Sequence, residues 1–118
     1  WGNVSFNPVS VLTLATLDQI TADEGAREVI HKLMTEAHRV ATQLGVQFPV
    51  DVDKRIGWAA DVGAHKTSML QDLERNRPLE IDALVETVAE MGRLVDIPTP
   101  TIDVVLSLVR LRARMGEN

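Results

Sequence analysis

Two asparagine side chains near the start of the chain have a spacing that suits shared chemistry. Asn3 and Asn7 are four residues apart, so both fall on one face of a helix. Each amide offers N–H donors and a carbonyl acceptor, and two stacked amides can hold a hydroxyl or a carboxylate. The alternative is structural, because asparagine often bonds local backbone and Pro8 leaves a carbonyl to satisfy. From composition and spacing alone, the structural interpretation is favoured.

Ser68 and Glu80 are the next candidate polar groups. Ser68 follows Thr67 shortly after Gly63, where a hydroxyl can cap a new helix or meet an anion. Glu80 follows Pro78 at the start of another predicted helix, where the helix dipole stabilises a carboxylate. On local grounds both residues are explained by their helix termini and need no function.

The sequence does not favour a metal site or a phosphate site. His31 and His38 lie two helical turns apart, but no third ligand stands at metal-binding spacing. There is no Gly-x-Gly-x-x-Gly motif and no P-loop, so this chain alone has no visible way to hold a dinucleotide. With no cysteine, disulfides and thiolate chemistry are excluded.

Charge and hydropathy exclude two further classes of partner. The net charge is −5 and there is no basic tract, so nucleic acid is not an expected partner. Arg110, Arg112 and Arg114 come closest to a basic patch, but they lie near a chain end, where cations suit a helix C-terminus. No apolar run approaches the roughly 18 residues of a membrane span, and no signal peptide is visible.

The elements that must position these residues are predicted to be helices. Hydrophobic residues make up 45% of the 118 and aromatic residues only 3%, so aliphatic side chains must fill the core. No pair of strands with a hairpin turn is visible. We therefore expect one all-α domain over residues 1–118, a helical bundle. Its six predicted helices span about 1–20 with a bend near 3–6, and 21–44, 51–62, 67–76, 78–95 and 99–115.

Cap signals mark several of these boundaries. Thr21 and Glu24 have capping-box spacing before the second helix, which should be the spine of the domain. Asp51 or Asp53 is expected to cap the third helix, Thr67 or Ser68 the fourth, and Thr99 the sixth. The second helix should pack centrally, and so should one face of the sixth. The predicted buried residues are Val29, Ile30, Leu33 and Leu44 in the second helix, and Val104, Val105, Leu108, Val109 and Leu111 in the sixth.

Five short motifs in chain order resemble the ketopantoate reductase family across nearly the whole chain. Each motif is weak alone, but all five in order at the family's spacing are a strong signal. The motifs are NVSFNPVS (3–10), GV followed by PVD (45–51), KTSMLQD (66–72), RPLEID (77–82) and IPTP (97–100).

The resemblance implies a two-domain, cytoplasmic enzyme that reduces 2-dehydropantoate to (R)-pantoate on the way to pantothenate. Its N-terminal half is a Rossmann domain that binds NADP. Its C-terminal half is a helical bundle like that of 6-phosphogluconate dehydrogenase-like enzymes. Because the chain starts at Trp1 rather than Met, we expect it to be the C-terminal half, with the Rossmann domain absent from it.

The resemblance also reverses the local preference at the four polar residues. The family's catalytic lysine lies four residues before the position matched by Asn3, so it falls before Trp1. It would protonate the carbonyl while hydride arrives from the cofactor. Asn3 and Asn7 would orient the substrate, a small 2-oxo acid. Ser68 would bind the substrate carboxylate, and Glu80 would act at the substrate hydroxyl.

Departures from the family pattern keep two alternatives open. Val85-Glu86, Ile102 and Asn76 stand where many members have Asn-Gly, Asn and Gly. The first alternative is therefore a reductase for a different 2-oxo acid, such as a mandelate-type dehydrogenase. The second is a helical binding or dimerisation module without catalysis.

A homodimer is expected as well. The first helix has apolar residues on most sides, which favours burial against a second copy. The sixth helix is the expected second contributor to the interface.

Overall fold

The computed structural model describes residues 5–45, 51–79 and 87–116, and the chain forms α-helices and no strand within those ranges. The predicted all-α fold class is confirmed. The described helices are α1 (Phe6–Thr13), α2 (Leu17–Ala22), α3 (Glu24–Gln43), α4 (Val52–Val62), α5 (Ser68–Glu74), α6 (Thr87–Leu94) and α7 (Pro100–Gly116).

Two helices, α1 and α2, replace the single first helix that the sequence predicts. Leu14 has a left-handed backbone (φ 61°) and closes α1 through an N–H bond to the Ser10 carbonyl oxygen, 2.7 Å away. Pro8 lies in the first turn of α1, where an N–H would have no intrahelical partner. It therefore needs no bend there. Residues 1–4, which include half of the predicted bend, are outside the described residues.

The cap of the long helix α3 lies two residues after the predicted cap, Thr21. Asp23 is the cap, and its Oδ2 accepts a hydrogen bond from the Ala26 N–H at 2.8 Å. Thr21 belongs to α2 instead, where its hydroxyl donates to the Leu17 carbonyl oxygen at 2.9 Å. The predicted Thr21–Glu24 box was wrong because a second, short helix uses Thr21.

The central position of α3 is confirmed in its middle and wrong at its end. Ile30, Leu33 and Met34 are fully buried and Val29 is half-buried. Leu44 is 48% exposed, because it lies beyond the last residue of α3 and outside the helical face.

Two alternatives at helix starts are resolved by hydrogen bonds. Asp51 caps α4 by accepting from the Lys54 N–H at 2.8 Å. Thr67 caps α5 by accepting from the Leu70 N–H at 3.1 Å. Ser68 is the first residue of α5 rather than its cap.

The helix predicted over 78–95 is shorter than expected in its described part. Residues 77–79 are not helical, so Pro78 does not open a helix there. Asn76 has a left-handed backbone (φ 55°), and the Arg77 N–H returns to the Asp72 carbonyl oxygen at 2.8 Å. This turn directs the chain away from the helical path. Residues 80–86 lie outside the described residues, and α6 runs from Thr87 to Leu94.

The start of α7 is held by a carboxylate from another helix. Glu36 of α3 is only 7% exposed, and its two oxygens accept hydrogen bonds from the Thr101 and Ile102 N–H groups, each at 3.0 Å. A carboxylate at a helix N-terminus is also favoured by the helix dipole. Thr99-Pro100 marks the start of this helix as predicted, whereas the contribution of Glu36 was not predicted.

The buried face of α7 is partly different from the predicted one. Val105 and Val109 are buried as expected, together with Ile102 and Leu106. The other three predicted residues are exposed because they lie on the opposite side of the helix. They are Val104 (61%), Leu108 (49%) and Leu111 (48%).

Helix α1 lies in the core rather than on the surface. Phe6, Val9 and Val11 are buried, and α1 packs against α5 and α7. The expectation that the first helix leaves bare apolar sides is therefore wrong for Phe6, Val9 and Val11, which the chain's own helices cover. Leu14, just after α1, is 55% exposed, and Val4 lies outside the described residues. No helix among the described residues is long and apolar enough to cross a membrane.

Candidate functional site

A cavity of about 390 Å³ lies where α1, α2, α4 and the loop before α5 meet. The lining combines apolar side chains with amide, hydroxyl, imidazole and guanidinium groups. Its lining residues are Phe6, Asn7, Leu17, Arg55, Trp58, Ala59, Val62, His65, Thr67 and Ser68.

The loop between α4 and α5 is tied to the start of α2. The Leu17 N–H donates to the His65 carbonyl oxygen and the Asp18 N–H to the Gly63 carbonyl oxygen, each at 3.0 Å. These bonds satisfy N–H groups that the first turn of α2 cannot pair internally. Gly63 has φ 87°, a conformation that glycine adopts without steric cost. The turn at Gly63 thus brings His65 to the cavity.

A chain of hydroxyl groups joins α1 to α5 beneath the cavity. Thr67 Oγ1 accepts from the Leu70 N–H and lies 2.5 Å from Ser10 Oγ. Ser10 Oγ in turn donates to the Asn7 carbonyl oxygen at 2.8 Å. If Thr67 donates to Ser10, every bond in the chain has one donor and one acceptor. Both hydroxyl residues are buried, so this contact fixes Asn7 relative to the start of α5.

Two of the four predicted site residues line the same cavity. Asn7 of α1 is buried to 9% exposure, whereas Ser68 of α5 is exposed. They are 61 residues apart in sequence, and nothing in either helix requires them to meet. Asn3 and Glu80 lie outside the described residues.

Helix α4 contributes a wall that the sequence analysis missed. Arg55, Trp58, Ala59 and Val62 have the spacing i, i+3, i+4, i+7, which places them on one helical face. A scan of this helix for one face that mixes a cation with an indole would have found them. Trp58 is 50% exposed and Val62 61% exposed, so these two side chains are not part of the core, whereas Ala59 packs against it.

The donor groups of the cavity suit a small polar acid rather than a metal ion. The lining has no aspartate, glutamate or cysteine. Across the part of the chain that the structure describes, no three histidine or acidic residues are grouped to hold a metal. Amide, hydroxyl and guanidinium groups are the usual donors to a carboxylate.

A sequence profile described as "Ketopantoate reductase PanE/ApbA C terminal" matches residues 1–113. The chain belongs to the ketopantoate reductase family. The resemblance drawn from the five motifs is therefore confirmed.

Known ketopantoate reductases match the chain in sequence and in structure. The 2-dehydropantoate 2-reductase of Mesorhizobium japonicum is 64% identical over 110 residues, 93% of this chain and 34% of that protein. A candidate ketopantoate reductase from Ralstonia solanacearum MolK2 superposes with a TM-score of 0.90 at 44% identity, over 98% of this chain and 35% of that one. The 2-dehydropantoate 2-reductase of Methylococcus capsulatus gives a TM-score of 0.86 at 30% identity, over 98% and 40%.

The relatives that match this chain are longer than the chain itself. The chain spans about a third of the curated relative from Mesorhizobium japonicum. D-mandelate dehydrogenase, solved with NADH, has a TM-score of 0.85 at 21% identity, over 98% of this chain and 40% of that one, and so shares the fold. The cavity lined by Asn7 and Ser68 is the candidate functional site of this family domain.

Proposed function

We propose that this chain is the substrate-binding half of an NADPH-dependent 2-dehydropantoate 2-reductase, which reduces ketopantoate to (R)-pantoate in pantothenate biosynthesis. The observation that carries the proposal is the meeting of Asn7 and Ser68 at one cavity. The family match over residues 1–113 and the name of the 64% identical relative support it.

Each site residue has a proposed role in holding the substrate. The Asn3 and Asn7 amides orient the 2-oxo acid, and the Ser68 hydroxyl donates to its carboxylate. Glu80 is proposed to be catalytic, accepting a hydrogen bond from the substrate hydroxyl. A lysine that precedes the residue matched by Asn3 is proposed to protonate the carbonyl oxygen as the alcohol forms.

The dinucleotide is assigned to a Rossmann domain that would precede this chain. The sequence has no Gly-rich phosphate loop, and the cavity lining has one guanidinium and no backbone cradle built by glycines. The chain's own residues therefore do not fit a pyrophosphate. Their proposed part is to bind and orient the 2-oxo acid, and we propose NADP rather than NAD as the cofactor of the whole enzyme.

The test is turnover by the full-length protein with a panel of 2-oxo acids. We expect NADPH oxidation with ketopantoate, and slower oxidation when NADH replaces NADPH. The isolated 118-residue chain should neither turn over ketopantoate nor bind NADP tightly. Absence of turnover with every 2-oxo acid would support the alternative of a non-catalytic helical module.

A second candidate is a reductase for a bulkier 2-oxo acid. The apolar lining residues Phe6, Leu17, Trp58 and Val62 can pack against an aromatic or branched substituent. The same panel separates the two candidates. A higher kcat/KM for an aromatic 2-oxo acid than for ketopantoate would favour the second.

We also propose that the enzyme is a two-fold dimer that pairs α7 with α7 of a second copy. Val104, Leu108, Leu111 and Met115 are exposed and follow the 4-3-4 spacing of a coiled-coil seam. Asp103 lies in the first turn of α7 and Arg114 in the last turn, so antiparallel pairing would place opposite charges at both ends of the interface. The buried face of α1 (Phe6, Val9 and Val11) gives less support to the first helix as a contributor.

Light scattering at micromolar concentration tests the dimer. The parent protein should have twice the mass of its chain, and Leu108→Glu should give a monomer, because it places a charge in the centre of the stripe. A specific interface should bury at least about 1,000 Å² in total. A monomeric parent would contradict the proposal.

Cytoplasmic location is likewise proposed for the enzyme, and cell fractionation tests it.

A further inference from the structure

Arg55 places a permanent positive charge on the wall of the cavity. It belongs to α4, is half-buried, and lines the cavity on the same helical face as Trp58. Its backbone is fixed in the first turn of α4 by an N–H bond to the Asp51 carbonyl oxygen at 3.1 Å. The guanidinium therefore extends from a well-defined helix rather than from a loop.

No negative charge on this wall neutralises the guanidinium. The described lining contains no acidic residue, and Arg55 forms no ion pair within residues 5–45, 51–79 and 87–116. The four ion pairs found in the same ranges involve other residues, and all four lie at the surface.

We propose that Arg55 is a specificity-determining residue that binds the carboxylate of the 2-oxo acid. The guanidinium can donate two parallel N–H bonds to a carboxylate, which fixes its plane as well as its position. Ser68 and Asn7 line the same cavity and can complete the donor set, while Trp58 packs against the apolar part of the substrate. This inference rests on the proposed function and extends it to the residue that selects an acid.

The substrate class follows from this arrangement. A 2-oxo acid with one free carboxylate and an apolar substituent satisfies both the guanidinium and the indole. The corresponding 2-oxo amide or ester lacks the negative charge and should be a poor substrate. The other anion that Arg55 can meet is a cofactor phosphate, and the experiment below separates the two.

The test compares Arg55→Ala and Arg55→Lys with a matched control in the full-length enzyme. Lys54→Ala removes one positive charge from the neighbouring residue of the same helix, which is exposed and does not line the cavity. We expect Arg55→Ala to raise KM for the 2-oxo acid by roughly 10–100-fold, as for a lost bond to a charged group. Its kcat and its KM for NADPH should change less than about threefold. Arg55→Lys should fall between the parent and Arg55→Ala, because lysine keeps the charge but not the paired donors.

The outcomes separate failure of this inference from failure of the proposed function. If the parent enzyme turns over a 2-oxo acid and Arg55→Ala leaves its KM unchanged, Arg55 has no part in binding and only the inference fails. A rise in KM for NADPH alone overturns it too, since Arg55 then binds a cofactor phosphate. If Arg55→Ala does not fold, Arg55→Lys decides, and a parental KM in that variant is contrary to the inference. A parent without activity on any 2-oxo acid ends both proposals.

Discussion

The start of α7 and the wall of the cavity each contain a charged side chain, but the two side chains differ in burial and in their bonds within the chain. At the start of α7, the Glu36 carboxylate is 7% exposed and both oxygens accept backbone hydrogen bonds at 3.0 Å. On the cavity wall, Arg55 is half-buried and has no ion pair among the described residues.

The difference separates charges that hold the fold from charges that are open to a ligand. A buried charge is tolerated only when hydrogen bonds satisfy it, and Glu36 obtains both of its bonds within the chain. Arg55 keeps part of its surface in water and remains open to an incoming anion. Substitutions at the α7 start should therefore change stability, and those at the cavity should change substrate binding.

The largest effect is expected for Glu36→Ala. It removes two charge-assisted hydrogen bonds and leaves the Thr101 and Ile102 N–H groups without their acceptor. The free energy of unfolding should therefore fall by about 2–4 kcal/mol. Urea denaturation of the full-length protein measures this, and amide exchange at Thr101 and Ile102 should accelerate. Glu28→Ala is the control, because Glu28 is exposed and, among the described residues, its only ion pair is with Lys32 across one helical turn. Equal stability of the two variants would remove the distinction drawn between the regions.

Gly92→Ala should be the next most damaging change. A Cβ at Gly92 of α6 would lie 2.9 Å from the Ile97 carbonyl oxygen and 2.9 Å from Thr99 Cγ2. Because one of these atoms is backbone, the neighbouring turn must shift, and we expect a loss of about 1–3 kcal/mol in the free energy of unfolding. The melting temperature of the purified variant measures the loss. An unchanged melting temperature would show that the α6–α7 turn can adapt.

Ser68→Ala should affect substrate binding without a comparable effect on stability. The hydroxyl is exposed and its helix is capped by Thr67, so α5 keeps its start when Ser68 is changed. We expect KM for ketopantoate to rise about tenfold, equivalent to about 1.4 kcal/mol. Ser107→Ala is the control, since it removes an exposed hydroxyl of α7 that does not line the cavity. A KM for ketopantoate equal to that of the parent enzyme would count against a role for Ser68 in substrate binding.

The smallest effect is expected for Gly57→Ala, and it should be stabilising. Gly57 lies inside α4, and a Cβ there meets no atom within 4 Å. Alanine restricts the unfolded chain and favours the helix, which adds about 0.5–1 kcal/mol to stability. Thermal denaturation measures the gain, and Gly92→Ala gives the same chemical change in a crowded place. A lower melting temperature for Gly57→Ala would mean that the space around position 57 of α4 is not open.

Local signals in the sequence predicted the parts of the fold that depend on neighbouring residues. Asp51, Thr67 and Thr99 mark helix starts at the predicted places, because a cap is set by residues within one turn. The long α3 follows from apolar spacing, and the all-α class from the same kind of pattern. The family resemblance supplied Asn7 and Ser68 as a pair, which spacing alone did not.

Features that depend on distant contacts were beyond local reasoning. The end of α1 at Leu14 places a leucine in a left-handed conformation, a choice that no cap signal indicates. Glu36 reaches α7 from 65 residues away. Arg55 is a candidate for substrate binding because it lines the same cavity as Asn7 and Ser68, which are distant from it in sequence. For Glu36 and Arg55 the decisive neighbour is remote in sequence, whereas Leu14 bonds to Ser10, four residues before it.

The Glu36 bond also has a consequence for the order in which the chain folds. It joins positions 65 and 66 residues apart, so α7 cannot obtain this cap until a long loop has closed. Helices α1 to α5 precede α7 during synthesis and can form local turns before it exists. Helix α7 should therefore dock late in folding. The native state should be reached when the first turn of α7 forms its hydrogen bonds to the Glu36 carboxylate. Stopped-flow refolding with pulsed exchange would then show the Thr101 and Ile102 amides among the last to be protected.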